Sequence, residues 1–205
     1  MIDRRSTDLD EQPPSSPAEA LAIVEREQAR HAPDLAPFFV LWGLAWVAIG
    51  LAWFGSGSGL WSAAVAGIVT AVAVAGGMVV SAVLGSRIDR GVSGPSRTAG
   101  ARLGVGWVVA MAATGAVAVG VVRLTEPGSA VVAALFPTLF VLVVGVIYMM
   151  TGALWRSRPD FGLGIALQVV AVATVFTPLP WNNLVMAVGG GGSLVVAGLL
   201  RRGRR

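Results

Sequence analysis

Lysine and cysteine are absent from this chain of 205 residues, and histidine occurs once, at His31. Without cysteine there can be no disulfide and no thiolate-ligated metal. One histidine rules out a histidine-rich metal site within a single chain. Charge is also missing where it would matter most. Six apolar runs, at 37–54, 60–84, 103–122, 130–154, 162–177 and 183–200, hold no Asp, Glu, Lys, Arg or His in their interiors. Proton-coupled carriers, charge-moving pumps and di-acid enzymes normally need ionisable groups near the bilayer midplane. Ser193, Thr114 and Thr151 have no histidine or carboxylate at depth to activate them as nucleophiles. The sequence therefore argues against catalysis, and no cofactor or metal is expected.

What is present points to lipid. Hydrophobic residues make up 55% of the chain and charged residues 13%, with a mean hydropathy of +0.76. This composition belongs to the membrane class. The run FFVLWGLAWVAIGLAWF (38–54) shows no polar face at all. About 20 apolar residues span a bilayer, so the six runs read as an all-α, polytopic transmembrane bundle of six helices in three hairpins. The 162–177 run is short, and can span if Phe161 and Thr177 lie at the interfaces. A re-entrant segment is the alternative.

Residues 1–17 read as a disordered cytoplasmic tail, because TDLDEQPPSSP has little to bury. Residues 18–34 read as a short amphipathic cytoplasmic or interfacial helix. Ser16 supplies its cap, Pro17 its first turn and Glu19 the return half of a capping box. It is either a linker resting on the bilayer or a docking helix. The transmembrane domain covers 35–200, and RRGRR at 201–205 is a basic tail.

All 15 basic residues are arginines. Arg87, Arg90, Arg97 and Arg102 fall in one connector, Arg156 and Arg158 in another, and Arg201, Arg202, Arg204 and Arg205 in the tail. The alternate connectors hold only Arg123. This positive-inside bias requires an even number of crossings and puts both termini in the cytoplasm. It also assigns the arginines to the membrane surface, so no nucleic-acid partner is expected. The long connector SRIDRGVSGPSRTAGAR reads as flexible.

Few polar residues reach the spans. Gln168, Tyr148 and Thr151 can form a small polar pocket for a solute, or hydrogen bonds between helices. Asn182 and Asn183 stand at the mouth of the last span. Pro137 interrupts the fourth and bends it. Gly189 to Gly192 lie inside the sixth. They either permit very close packing, with Gly190 and Gly191 against a neighbour, or break the helix and expose carbonyls to a substrate. Trp42, Trp46, Ile49 and Trp53 share one stripe of the first span. Trp42, Trp53 and Trp61 suit the membrane interfaces. Trp46 is deeper and either packs against another helix or walls an apolar ligand site. Gly100 with Gly104, and Ala112 with Ala116 and Gly120, form small-xxx-small faces.

The segments SPAEALAIVEREQAR, VLWGLAWVAIG, GPSRTAGARLG, GALWR and MAVGGGGSLV resemble small, uncharacterised six-helix integral membrane proteins of actinobacteria. The resemblance implies the six-helix architecture and carries no activity. Two functional readings follow. The chain is a non-catalytic regulatory, sensory or assembly partner in the membrane, working with another membrane protein or a second copy of itself. Alternatively, it is a carrier or channel for a small neutral or apolar solute.

Overall fold

A computed structural model describes residues 16–30, 34–88, 95–126 and 128–203. The chain divides into two units, 1–34 and 35–205. The first contains α1 (Pro17–Arg30). Its start follows the capping signal: the Glu19 amide donates to Ser16 Oγ at 3.2 Å. The expected end of this helix near Pro33 lies outside the described residues.

The second unit is built from α2 (Ala36–Gly57), α3 (Ala63–Ile88), α4 (Pro95–Leu124), α5 (Ala130–Leu154), α6 (Arg158–Phe176) and α7 (Trp181–Arg202). All six are long and apolar enough to cross a membrane, so the chain is a multi-pass membrane protein. The short span resolves as a full helix. The 19 residues of α6 rise about 28 Å at 1.5 Å each, close to the hydrocarbon thickness. In the connector read as flexible, the part from Pro95 onward is instead the first turns of α4. Proline suits a first helical turn, and Arg, Ala and Arg that follow are good helix formers. The tail boundary also moves, because α7 runs through Arg202.

Glycine decides which helices meet closely. Ala36, Gly43, Gly50 and Gly57 recur every seventh residue along one face of α2, a spacing that keeps a seam facing its partner. That partner is α7, running antiparallel. A Cβ on Gly43 would stand 2.7 Å from Val195 Cγ2 and 2.8 Å from the Gly191 carbonyl oxygen. One on Gly50 would stand 2.6 Å from the Asn183 oxygen, and one on Gly198 3.0 Å from the Ala36 oxygen. These obstacles are largely backbone, so a larger residue could not be accommodated by a rotamer change. The α5–α6 pair uses the same device. A Cβ on Gly145 would come within 3.1 Å of the Gly164 oxygen, and one on Gly164 within 2.8 Å of the Gly145 oxygen.

These two pairs share one core, built from Phe39 and Trp46 of α2, Val141 and Val144 of α5, Leu163, Leu167 and Ala171 of α6, and Met186 and Leu194 of α7. The other two helices are peripheral. α3 packs chiefly on α2, and α4 chiefly on α5, where Trp107 and Met111 lie against the core. The α2–α3, α4–α5 and α6–α7 hairpins describe connectivity, while the tightest packing joins helices from different hairpins.

The tryptophan stripe now has a structural role. Trp42 Nε1 donates to Ser81 Oγ at 3.0 Å, and Trp53 Nε1 to Thr70 Oγ1 at 3.0 Å. The indoles thus fasten α3 to α2 at two levels, with the Trp42 ring against Gly77. Trp61 closes the α2–α3 turn by donating to the Ala52 carbonyl at 2.7 Å.

Leucine at Gly43 or Gly191 is expected to destabilise the bundle by about 2–3 kcal/mol through overpacking. Leucine at Gly85, where a Cβ would meet nothing within 4 Å, is expected to be neutral. Thermal unfolding in detergent distinguishes them. Equal melting of Gly43→Leu and Gly85→Leu would refute backbone-limited packing of α2 on α7.

Candidate functional site

In a bilayer core, any main-chain group left without a partner costs several kcal/mol. Pro137 has no N–H, so the carbonyl four residues earlier, that of Ala133, loses its helical donor. Asn182 replaces it. This side chain is 0% exposed, and its Nδ2 donates to the Ala133 oxygen at 3.1 Å. The Asn182 side-chain Oδ1 in turn accepts from Asn183 Nδ2 at 3.1 Å. The proline of α5 and the first turn of α7 therefore form one unit. Thr138 adds a second local bond, from its hydroxyl to the Ala134 carbonyl at 2.8 Å.

The glycine run neither breaks nor forms an ordinary α-helix. Met186–Gly191 is a π turn within a continuous α7. The Gly192 amide reaches back five residues to the Ala187 carbonyl. Such a turn inserts one residue and shifts the faces that follow it. The Ser193 hydroxyl donates to the Gly189 carbonyl, helping satisfy backbone groups that the change of register disturbs. The four glycines are not equivalent. Gly189 faces Val170, Gly190 lies against the Trp46 ring at 3.0 Å from a would-be Cβ, and Gly191 faces Gly43 and Val47. At Gly192 the position is open. Trp46 is buried and meets the π turn directly, which brings together three of the residues singled out from sequence.

The other three take different partners. Gln168 Nε2 donates to the Leu142 carbonyl at 2.9 Å, across the α5–α6 interface. Tyr148 stacks obliquely with Phe39 at a centroid distance of 5.3 Å and meets Trp107 edge-on at 5.7 Å. Thr151 donates to the Ile147 carbonyl at 2.8 Å. The bonds of Gln168 and Thr151 hold the helix backbone, and the rings around Tyr148 join α2, α4 and α5. Thr114 also donates within its own helix, to Ala110 at 2.7 Å. The hydroxyls considered as nucleophiles are thus engaged with main-chain carbonyls.

A further cluster was not foreseen. Asp160, in the first turn of α6, accepts from the Arg201 guanidinium near the end of α7. Its second oxygen accepts from Ser157 Oγ at 2.6 Å. The Arg201 guanidinium also lies 4.1 Å from the centroid of the Phe39 ring, a cation–π contact. Phe39 passes the contact on to Tyr148 and Trp107. One charged residue near the end of the chain therefore ties α6, α7 and α2 together, and aromatic packing extends the tie to α5 and α4. The sequence held two signals: a Ser-x-x-Asp cap at 157–160, and an arginine spaced to remain on the last helix.

The proline and its replacement donor form a closed thermodynamic cycle. Asn182→Leu is expected to cost about 1–2 kcal/mol by leaving the Ala133 carbonyl without its donor. In a Pro137→Ala background that carbonyl recovers a helical N–H, so the cost should shrink to a few tenths. Chemical or thermal unfolding of the four variants measures the coupling. Strict additivity of the two substitutions would show that Asn182 does not serve the proline.

No family model, no curated protein and no solved structure matches this chain.

Proposed function

We propose that this protein is a non-catalytic partner subunit of a membrane complex, serving a regulatory, sensory or assembly role through helices α3 and α4. The unequal use of glycine carries this reading. In the membrane-length windows of α3 and α4 only 11% of residues are buried, against 39% in α2 and 33% in α7. Glycines of the four central helices mostly meet a neighbouring helix, whereas a Cβ at Gly100, Gly104 or Gly120 of α4 would meet nothing within 4 Å. Ala112 and Ala116 are exposed on the same helix. Small residues repeated at such spacing let a second helix backbone approach closely. Ala112, Ala116 and Gly120 line one such face, and the occupant that fits it is a transmembrane helix of another protein. A second copy of the chain is the alternative outcome.

The setting proposed for this complex is a bacterial cytoplasmic membrane, with both termini in the cytoplasm. The arginine distribution supports it through the positive-inside tendency. The natural absence of cysteine makes the orientation easy to check. A single cysteine at Asp8 or Arg204 should resist membrane-impermeant thiol reagents in intact cells, and one at Ser58 should react. Labelling of the terminal cysteines from outside would reverse the orientation.

A second reading is a carrier for a small neutral or apolar solute. It draws on the π turn of α7, an irregular backbone segment at membrane depth. It predicts flux into liposomes that falls in a Gln168→Leu variant. Flux unchanged by that substitution would remove Gln168 from any pathway.

The partner reading is tested by photocrosslinking from positions 112 and 116 in native membranes, with positions 150 and 165, on α5 and α6, as exposed controls. A discrete protein adduct is expected from 112 and 116 alone. It should be lost when leucine replaces the other small residue, with thermal stability of the purified protein unchanged. Adducts of twice the chain mass would identify a second copy as the occupant. Only lipid adducts at all four positions would sink the partner reading.

A further inference from the structure

Where α5 turns into α6, an open surface cavity of about 340 Å³ is lined by Gly152, Ala153, Arg156, Ser157, Arg158, Phe161 and Gly162. Its lining combines apolar and cationic side chains. Ala153, Phe161 and the two glycines supply an apolar part, and Arg156 and Arg158 supply a cationic one. The flanking residues Leu154 and Trp155 are exposed. An exposed indole at a helix end suits the headgroup level of a bilayer. The cavity therefore straddles the boundary between hydrocarbon and headgroups.

Its charge is not balanced locally. Asp160 is the nearest acidic side chain in sequence, and Arg201 and Ser157 already engage both of its oxygens. Neither Arg156 nor Arg158 forms an ion pair among the described residues. The start of α6 offers few free amides: residue 159 is proline, the Asp160 amide donates to Ser157 Oγ and the Phe161 amide to the Ser157 carbonyl. The guanidinium groups, not the helix terminus, are the anion-binding elements. Guanidinium matches a phosphate in planar, two-point fashion.

We infer that this cavity binds the phosphate of an anionic phospholipid, with Arg156 and Arg158 holding the headgroup and an acyl chain running along Ala153, Phe161 and Gly162. The amphiphilic lining favours a lipid over free phosphate, because a free anion has no use for the apolar half. Basic pockets between helix ends are a recurring means of headgroup recognition.

The full-length protein in mild detergent provides the test, with phosphatidylglycerol, phosphatidylcholine, glycerol 3-phosphate and inorganic phosphate as probes. Native mass spectrometry reads lipid retention, and thermal shift reads stabilisation. Wild type should retain phosphatidylglycerol in preference to phosphatidylcholine. Arg156→Gln and Arg158→Gln should each weaken retention about fivefold, and the double variant about 25-fold. Arg156→Gly separates binding from folding. Arg156 has φ 52°, a left-handed conformation that glycine adopts without strain. This variant should melt no lower than wild type without lipid, yet retain phosphatidylglycerol as poorly as Arg156→Gln. Arg123→Gln, at the other end of the bundle, should retain it like wild type. Equal retention by wild type and the double variant would overturn the inference, as would an equal loss in Arg123→Gln. Stabilisation by inorganic phosphate or glycerol 3-phosphate as large as that by phosphatidylglycerol would overturn the lipid assignment.

Discussion

The need to satisfy every main-chain polar group away from water shapes this bundle more than any other constraint. Its six helices contain two interruptions of the regular α hydrogen-bond ladder, Pro137 in α5 and the π turn in α7. Each has a compensating donor. Asn182 serves the carbonyl released by the proline, and Ser193 serves a carbonyl within the π turn. Gln168 adds a bond from α6 to the backbone of α5. The scarce polar side chains are placed where backbone geometry or helix packing gives them a partner. That is a structural explanation for polar residues that otherwise invite a search for a substrate.

The same economy governs small residues. Where glycine faces glycine, as at Gly43 and Gly191 or Gly145 and Gly164, backbones approach until atoms of one helix occupy the space of a side chain on the other. Lipid offers little hydrophobic driving force for helices to associate, so close dispersion contact must supply much of it. Packing of this kind also fixes register, because sliding one helix along the other would put Val or Trp where only glycine fits. On α4 similar spacing leads outward instead: among the described residues, a Cβ at any of its glycines would meet nothing within 4 Å. A single residue type thus marks both the tight seams of the core and an outward-facing surface of small residues.

Helix number, span and the cap of α1 were legible because they depend on local sequence: run length, hydropathy and the Ser16–Glu19 spacing. The fate of the glycine run was not. Continuous and broken helices were the alternatives, and the π turn lies between them, since its register depends on what Trp46 and Gly43 present from α2. Gln168, Tyr148 and Thr151 read either as one small polar pocket or as bonds between helices; Gln168 bonds across α5–α6, while Thr151 bonds within α5 and Tyr148 packs among rings. The Asp160–Arg201 pair was hidden for a related reason. Arg201 reads as part of a basic tail until α7 is known to continue past it, and nothing local to residue 160 points to residue 201.

The pairing of α2 with α7 has a consequence for synthesis. Among the six described membrane-length helices, α2 leaves the ribosome before the others and α7 after them, yet the glycine face of one is completed only by the other. Throughout insertion, the seam of Gly43 and Gly50 must remain in contact with lipid, or with whatever helix or insertion factor shelters it. Closure of the bundle is therefore completed only when α7 docks and Arg201 reaches Asp160. A chain truncated before α7 would present the membrane with an open, glycine-lined seam, a feature by which quality-control proteases could distinguish unfinished copies from finished ones.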